Sequence, residues 1–361
     1  MFEGAPIPYA DLNARVNRLA NALTAHGVGA SDRVGLFLPN IPEFLICYLA
    51  ALKIGAIAVS INAILPLFHV FGQNFIMNAA LTACATLVLH RRFIPDQVLD
   101  SIRRDRITMF FGVPTIFITL LNMDLSGHDL SSIRYEFSAA ATMPQEISRR
   151  WTDRFGRPVY EGYGLTECSP FACYNHDFRH KFGSVGTAVE NTELRIVDPD
   201  DQPLPPGEWG EIVIRGPGVM KGYWNKPEDT AEALRGGWLH SGDIGTLDDA
   251  GYIFIVDRLK DMINVAGFKV WPAEVEQVLY RHPAIQETAV YGAPDPLKGE
   301  SVRAAIILKH GVTATADEIQ AYCRDRMAAY KVPAAIDIVR ELPKSATGKI
   351  LKRVLRAQSP R

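Results

Sequence analysis

Residues 160–170 read YEGYGLTECSP: a run of strand-forming residues gives way to a turn bracketed by Gly162 and Gly164, on which Tyr163, Thr166 and Glu167 stand. Glycine admits backbone paths closed to other residues, so the spacing predicts a strand end that presents an aromatic face, a hydroxyl and a carboxylate around one point. Read by residue type alone, Glu167 could hold a hard cation such as Mg2+, Thr166 could bond a phosphate oxygen and Tyr163 could stack on a base. The same letters also describe a tight turn whose polar groups face water.

Upstream of this turn the pattern alternates. Leu12, Val16, Leu19 and Leu23 lie at helical spacing over 11–26, and RVGLFL at 33–38 reads as a buried strand. Helices are then expected at 42–53, 73–84, 95–104, 114–122 and 144–155, interleaved with strands at 56–61, 85–89, 107–111, 134–139 and 158–162. Alternation of this kind predicts an α/β layer with a mostly parallel sheet. From about residue 183 the texture changes to short strands, ELRIV, GEIVIRG and GYIFIVD, set between Gly and Pro turns, which predicts a β-rich antiparallel subdomain. Beyond Arg258 a smaller α+β unit follows, with helices at 272–281 and 316–328 and strands near 285–292 and 301–308. The expected domains are 1–258 and 259–361.

The formal net charge of −2 over 361 residues argues against a polyanion-binding surface, so no nucleic-acid partner is expected. The five cysteines, scattered and never spaced C-x-x-C, indicate neither a disulfide framework nor a zinc site and fit a cytoplasmic protein. Met1–Val16 lacks the basic-then-apolar pattern of a secretory signal. Two stretches, 44–61 and 67–89, are nearly free of charge, but Gly55, Pro66 and Gly72 interrupt them. Buried helix-then-strand units, rather than membrane spans, are expected there.

Two further motifs carry chemistry. GGWLHSGDIG at 236–245, followed by GYIFIVDRLKD at 251–261, places Asp243 and Arg258 at strand edges, and a carboxylate that accepts two hydrogen bonds suits a ribose diol. An Asp-Gly-type turn with a surface ion pair would look the same. PKSATGKILKRVLR at 343–356 leads a Ser/Thr/Gly loop to Lys349, yet the G-x-x-x-x-G-K-[ST] spacing of a nucleotide phosphate loop is absent. A lone lysine in such a place is ordinarily a solvated charge at a helix start.

Taken together, YGLTE, SGD, DRLKD with INVAGFKVWPAEVE, and PKSATGKILK stand in the order and at about the separations of the later core motifs of the adenylate-forming ligases. The whole chain resembles the acyl-CoA synthetases of that family, of the long- or medium-chain fatty acid kind. The resemblance implies a large N-terminal domain followed by a small mobile C-terminal one, and activation of a carboxylic acid with ATP, Mg2+ and coenzyme A. It implies that Tyr163 stacks on adenine, Thr166 contacts the phosphate, Glu167 holds the Mg2+, and Asp243 and Arg258 meet the ribose; Gly164 and Ile255 count among the cofactor-binding residues, and Thr166 and Glu167 are catalytic with Lys349. Lys349 matches the lysine that bridges carboxylate and α-phosphate, where a cation stabilises charge developing at phosphorus. Lys260 matches the hinge, and Gly267, Phe268 and Lys269 the segment facing the pantetheine tunnel. His69 matches a position near the acyl pocket, and Ala139, Ala140 and Ala141 the small-residue stretch between that pocket and adenine. Peripheral membrane contact and a homodimer are compatible with this reading.

One departure stands out. The family's Thr-Ser-Gly-Thr-Thr-Gly phosphate loop should fall between the segments ending near Asn62 and starting near Leu65, and VSIN runs almost directly into AILPLFHV. A deletion with its junction at 62–64 is therefore expected, which would impair the ligase. The alternatives are a catalytically inactive remnant that binds adenylate or a partner, and an acyl-AMP ligase or aryl-CoA ligase.

Overall fold

The computed structural model describes residues 1–2, 4–36, 40–60, 69–91, 93–345 and 349–358, so the expected junction at 62–64 lies outside the described residues. By packing, the chain divides into two units, Met1–Ile107 with His128–Ser132, and Thr108–Gly127 with Ile133–Arg361.

In the first unit, α1 (Tyr9–Ala25) buries Leu12, Val16 and Ala20, while Leu19 and Leu23, expected on the same face, are partly buried against that core. β1 (Arg33–Leu36) and β2 (Ile57–Ser60) pair in parallel, with Arg33 opposite Ile57, and α2 (Pro42–Lys53) links them. Pro42 sits in the first turn of α2, where a missing N–H costs nothing. A π-helical segment, Phe71–Asn78, runs into α3 (Ala79–Thr82), and α4 (Pro95–Asp105) ends on Arg106 in the left-handed region. Phe44 and Met77, both fully buried, meet in the core of this unit. The strand expected at 85–89 does not form: Leu89 makes a single bridge to Phe2, and Met1 bonds Leu87 and Leu89. Among the described residues this run has no ladder partner: besides that bridge, Ala85 accepts the Tyr9 hydroxyl at 2.8 Å. No helix among the described residues is long and apolar enough to cross a membrane.

Among its described residues, the second unit contains three sheets. β3 (Met109–Gly112), β4 (Tyr135–Ser138) and β5 (Val159–Tyr163) are parallel, joined through α5 (Pro114–Leu121) and α6 (Gln145–Phe155). β6 (Cys173–Tyr174) and β7 (Thr187–Ala188) extend this sheet with antiparallel pairs. Trp151 on α6 is 1% exposed and packs edge-on against Phe117 of α5, ring centroids 4.9 Å apart. The second sheet is antiparallel, in the order β11-β10-β9-β8, built from β8 (Glu193–Val197), β9 (Gly210–Arg215), β10 (Leu239–Leu247) and β11 (Ile253–Arg258), with α7 (Pro227–Ala233) between β9 and β10.

A single 3-10 turn, Leu259–Asp261, leads to the third sheet. There β12 (Ile263–Val265) and β13 (Phe268–Val270) form a hairpin, α8 (Pro272–Tyr280) follows, and β14 (Ile285–Asp295) pairs along its length with β15 (Gly299–Leu308). α9 (Ala316–Arg324) opens with a Thr315/Glu318 capping box, β16 (Ala335–Ile338) pairs in parallel with β15, and α10 (Lys352–Gln358) follows. The parallel-then-antiparallel-then-α+β progression is the one the sequence predicts.

Trp151→Ala removes the largest side chain of the α5–α6 core. It is expected to lower the unfolding free energy by about 3–5 kcal/mol, read from urea denaturation; a loss below about 1 kcal/mol would mean that the site collapses around the cavity.

Candidate functional site

The turn after β5 owes its path to two glycines. A Cβ on Gly162 would lie 2.7 Å from ring atoms of Phe137 and Phe171, and one on Gly164 only 1.9 Å from the Pro170 carbonyl oxygen. The chain therefore doubles back on itself, and the Ala172 N–H donates to the Tyr163 carbonyl at 2.9 Å. This fold-back delivers Tyr163 to the neighbouring sheet.

The Tyr163 hydroxyl donates to Asp243 Oδ2 at 2.7 Å. Asp243 pairs across the ladder with Arg258, whose Nε lies 3.3 Å from Asp243 Oδ1. Asp243 is 8% exposed, and burial pushes its carboxyl above the usual range, while Tyr163, Arg258 and Lys349 pull it back down and Asp257 pushes it up. Burial, then the Asp243 charge, drives the Tyr163 hydroxyl well above its ordinary value, so it is a donor at any working pH. The strand β10 is irregular between His240 and Ile244, where Gly242 takes φ 69°. Ser241 Oγ donates to the Ile212 carbonyl at 2.6 Å and accepts the Asp243 N–H at 3.1 Å. Glu211 Oε1 accepts the Gly242 N–H at 2.8 Å. These bonds replace the ladder hydrogen bonds that the irregularity gives up.

Lys349 belongs to the same electrostatic cluster. Burial first, then the Arg258 guanidinium, lower its pKa to about 8, against the pull of Asp243 and Asp261; Lys260 adds a smaller push downward. Glu167 stands on a 3-10 turn, Thr166–Cys168, where its Oε1 accepts the Tyr223 hydroxyl at 2.9 Å and its carbonyl accepts the Met220 N–H at 2.7 Å. Thr166 is exposed beside it. Among the described residues no cluster of three His, Cys, Asp or Glu could hold a metal by itself. A single carboxylate such as Glu167 still suits Mg2+, which keeps waters and leans on substrate phosphates.

The other expected residues are placed as follows. Ala139 is buried at the end of β4, Ala140 takes φ 70° and is exposed, and Ala141 is half-buried. Ile255 pairs with Gly245 and packs on the apolar core beneath the antiparallel sheet. Lys260 is exposed in the 3-10 turn. Ala266 and Gly267, both at positive φ, make the two-residue tip of the β12–β13 hairpin, and beside it exposed Phe268 stacks on Tyr330 at 4.7 Å with Lys269 open to solvent. His69 lies in the first unit, its Nδ1 accepting the Phe71 N–H at 3.3 Å. Sequence reasoning missed Tyr223, Glu211, Ser241 and Asp257. Asp257 accepts the Ala273 N–H at 2.7 Å and so ties β11 to the start of α8.

Parallel sheet, antiparallel sheet and terminal α+β unit together are the architecture of the adenylate-forming ligases. An anthranilate CoA ligase, AuaEII, solved with anthranoyl-AMP, superposes with a TM-score of 0.93 at 26% identity over 99% of this chain and 93% of its own. ATP-bound MatB from Rhodopseudomonas palustris gives 0.93 at 25% identity over 99% and 94%. The chain belongs to the AMP-binding enzyme family, whose profile matches residues 1–64 and 61–224, with the profile of the AMP-binding enzyme C-terminal domain matching 274–349. It is 43% identical over 301 residues to a long-chain-fatty-acid–CoA ligase of Bacillus subtilis (strain 168), covering 82% of this chain and 54% of that one. It is 42% identical over 290 residues to a feruloyl-CoA synthase of Amycolatopsis sp, covering 80% and 59%. The chain thus spans little more than half the length of these curated relatives.

An amine must lose its proton before it acylates, so trace labelling with acetic anhydride across a pH series reads the Lys349 titration directly. Its midpoint is expected near pH 8. Below that pH the side chain is a cation; above it the charge is lost. A midpoint in the ordinary lysine range would mean that the ammonium is solvated and apart from Arg258.

Proposed function

We propose that the protein activates a hydrophobic carboxylic acid with ATP to an acyl-adenylate and passes the acyl group to coenzyme A. The observation that carries this reading is the Tyr163–Asp243–Arg258 cluster with Lys349 in its field. In the first step a carboxylate oxygen attacks the α-phosphorus and the bond to pyrophosphate breaks. Lys349, cationic below pH 8, neutralises charge that develops on both reacting groups, and so the step should weaken as pH rises through that value. Asp243 accepts from the ribose hydroxyls, and the Tyr163 ring offers a face to adenine. Glu167 would hold Mg2+ against the phosphates, where the ion offsets their negative charge. In the second step the coenzyme A thiolate attacks the acyl carbon and AMP leaves, with Gly267, Phe268 and Lys269 on the thiol side.

The two-domain division at 258–259 is part of the proposal, supported by the change of sheet across Leu259–Asp261 and an exposed Lys260 in that turn. A cytoplasmic setting is likewise proposed. The names of the relatives, fatty-acid, feruloyl and anthranilate ligases, support a hydrophobic acid, aliphatic or aryl.

The absence of the phosphate-loop block is proposed too. It is supported by VSIN running into AILPLFHV and by a family profile matched as two stretches that meet at 61–64. Losing three charge-assisted bonds to the β- and γ-phosphates, at about 1.5–3 kcal/mol each, removes roughly 5–9 kcal/mol, three to six decades of rate. Thioester formation from acyl-AMP needs neither phosphate, so it is the half-reaction expected to survive. Supplied with acyl-AMP and coenzyme A, the protein should form thioester faster than from ATP and free acid. ATP–pyrophosphate exchange should be weak, and should fall further in Lys349→Ala. Acyl-AMP binding without either reaction would identify a binding remnant instead.

A further inference from the structure

The loop that carries Lys349 is held at both ends by ion pairs that take no part in the chemistry above. On one flank Lys344 Nζ lies 2.8 Å from Glu287 Oε2 on β14; on the other, Lys352 Nζ lies 2.9 Å from Glu276 Oε1 on α8. The Glu287 side chain is 5% exposed, and those of Lys352 and Glu276 are 19% and 18% exposed. Glu276 is itself fixed, since its Oε1 also accepts the Val290 N–H of β14 at 2.7 Å. Between the flanks the backbone closes on itself: Lys344 bridges Ile350, the Ser345 N–H donates to the Lys349 carbonyl at 2.8 Å, and the Leu351 N–H donates to the Pro343 carbonyl at 2.8 Å. One turn beyond Lys352, Arg356 reaches Asp261 at 3.4 Å.

Burying two charges costs more than burying an apolar pair of the same size, so such a pair is poorly explained as a source of stability alone. What it adds is a directional point of attachment. Lys349 needs one, because its ammonium is removed from water and faces two like charges, Arg258 and Lys260, with Asp243 and Asp261 as its counter-charges. A free loop would swing that ammonium out to solvent, where nothing repels it.

We propose that the Lys352–Glu276 pair, seconded by Lys344–Glu287, positions Lys349 against Asp243 and Arg258, which makes Lys352 a positioning residue for the adenylation step. This rests on the reading of Lys349 given above, but its geometric half can be read without catalysis. The test is the double variant Glu276→Gln with Lys352→Met, which removes both charges and keeps an acceptor for the Val290 N–H. Thermal melting checks that it folds, and acetic anhydride labelling follows Lys349. The midpoint is expected to move up from about 8 toward the ordinary lysine range. ATP–pyrophosphate exchange is expected to fall about tenfold or more, with little change in KM for ATP. The single variant Lys352→Arg, which can still pair with the intact Glu276, should keep both readings at their original values. A folded double variant whose Lys349 midpoint stays near 8 overturns the proposal. A shifted midpoint with unchanged exchange upholds the positioning and instead removes Lys349 from the chemistry. Should the double variant not fold, Glu287→Gln with Lys344→Gln tests the other flank by the same two measurements.

Discussion

The 2.7 Å hydrogen bond from Tyr163 to Asp243 joins the end of the parallel sheet to the middle of the antiparallel one. Everything proposed for the site depends on it. Asp243 is a carboxylate taken out of water, a state that holds only when its oxygens are bonded. One oxygen is met by a tyrosine hydroxyl from β5 and the other by a guanidinium from β11. Because Arg258 is also the last residue of β11, the bond network continues into the turn that begins the third sheet. The same carboxylate is thus a structural joint and, in the proposed reaction, the group that receives the sugar.

Much of the fold was legible in the chain because periodicity is a local property. Helix starts at Pro42, Pro95, Pro114 and Pro272, the parallel strands through Tyr163, and the antiparallel sheet after residue 183 follow from residue type and spacing, although antiparallel pairing already begins at Cys173–Tyr174. The strand expected at 85–89, which does not form, shows the boundary of that logic, since an apolar run becomes a strand only where a partner strand is available to it. The site was legible in part. Motif order pointed to Tyr163, Asp243, Arg258 and Lys349, which the structure brings into one cluster. Tyr223 and Glu211 could not be found that way, for their partners lie 56 and 31 residues away and neither stands in a pattern that advertises the contact. Lys352 had a signal, a second lysine one helical turn after the first, but the sequence shows it only as another helix-start charge.

Cationic and anionic side chains alternate through this region: Arg258 on Asp243, Arg356 on Asp261, Lys352 on Glu276. Asp243 is bonded in turn to a tyrosine hydroxyl and Glu276 to a backbone N–H, so these charges are fixed rather than merely near their partners. A site of this kind needs little rearrangement when charge appears on a ligand, because its dipoles are already aimed. The cost is a lysine held where its protonated form is disfavoured, a penalty borne by the packing of the small sheet and α10.

The turn Leu259–Asp261 has a mechanical meaning of its own. Only four residues, 259–262, separate the last strand of one sheet from the first strand of the next, and four residues fully extended span about 14 Å. The two sheets are therefore tethered within that reach, and in the proposed two-domain division the torsions of so few peptide units would leave pivoting as the motion between them. In the proposed division at 258–259, whatever face the terminal body turns toward Asp243 would arrive along an arc centred near Lys260.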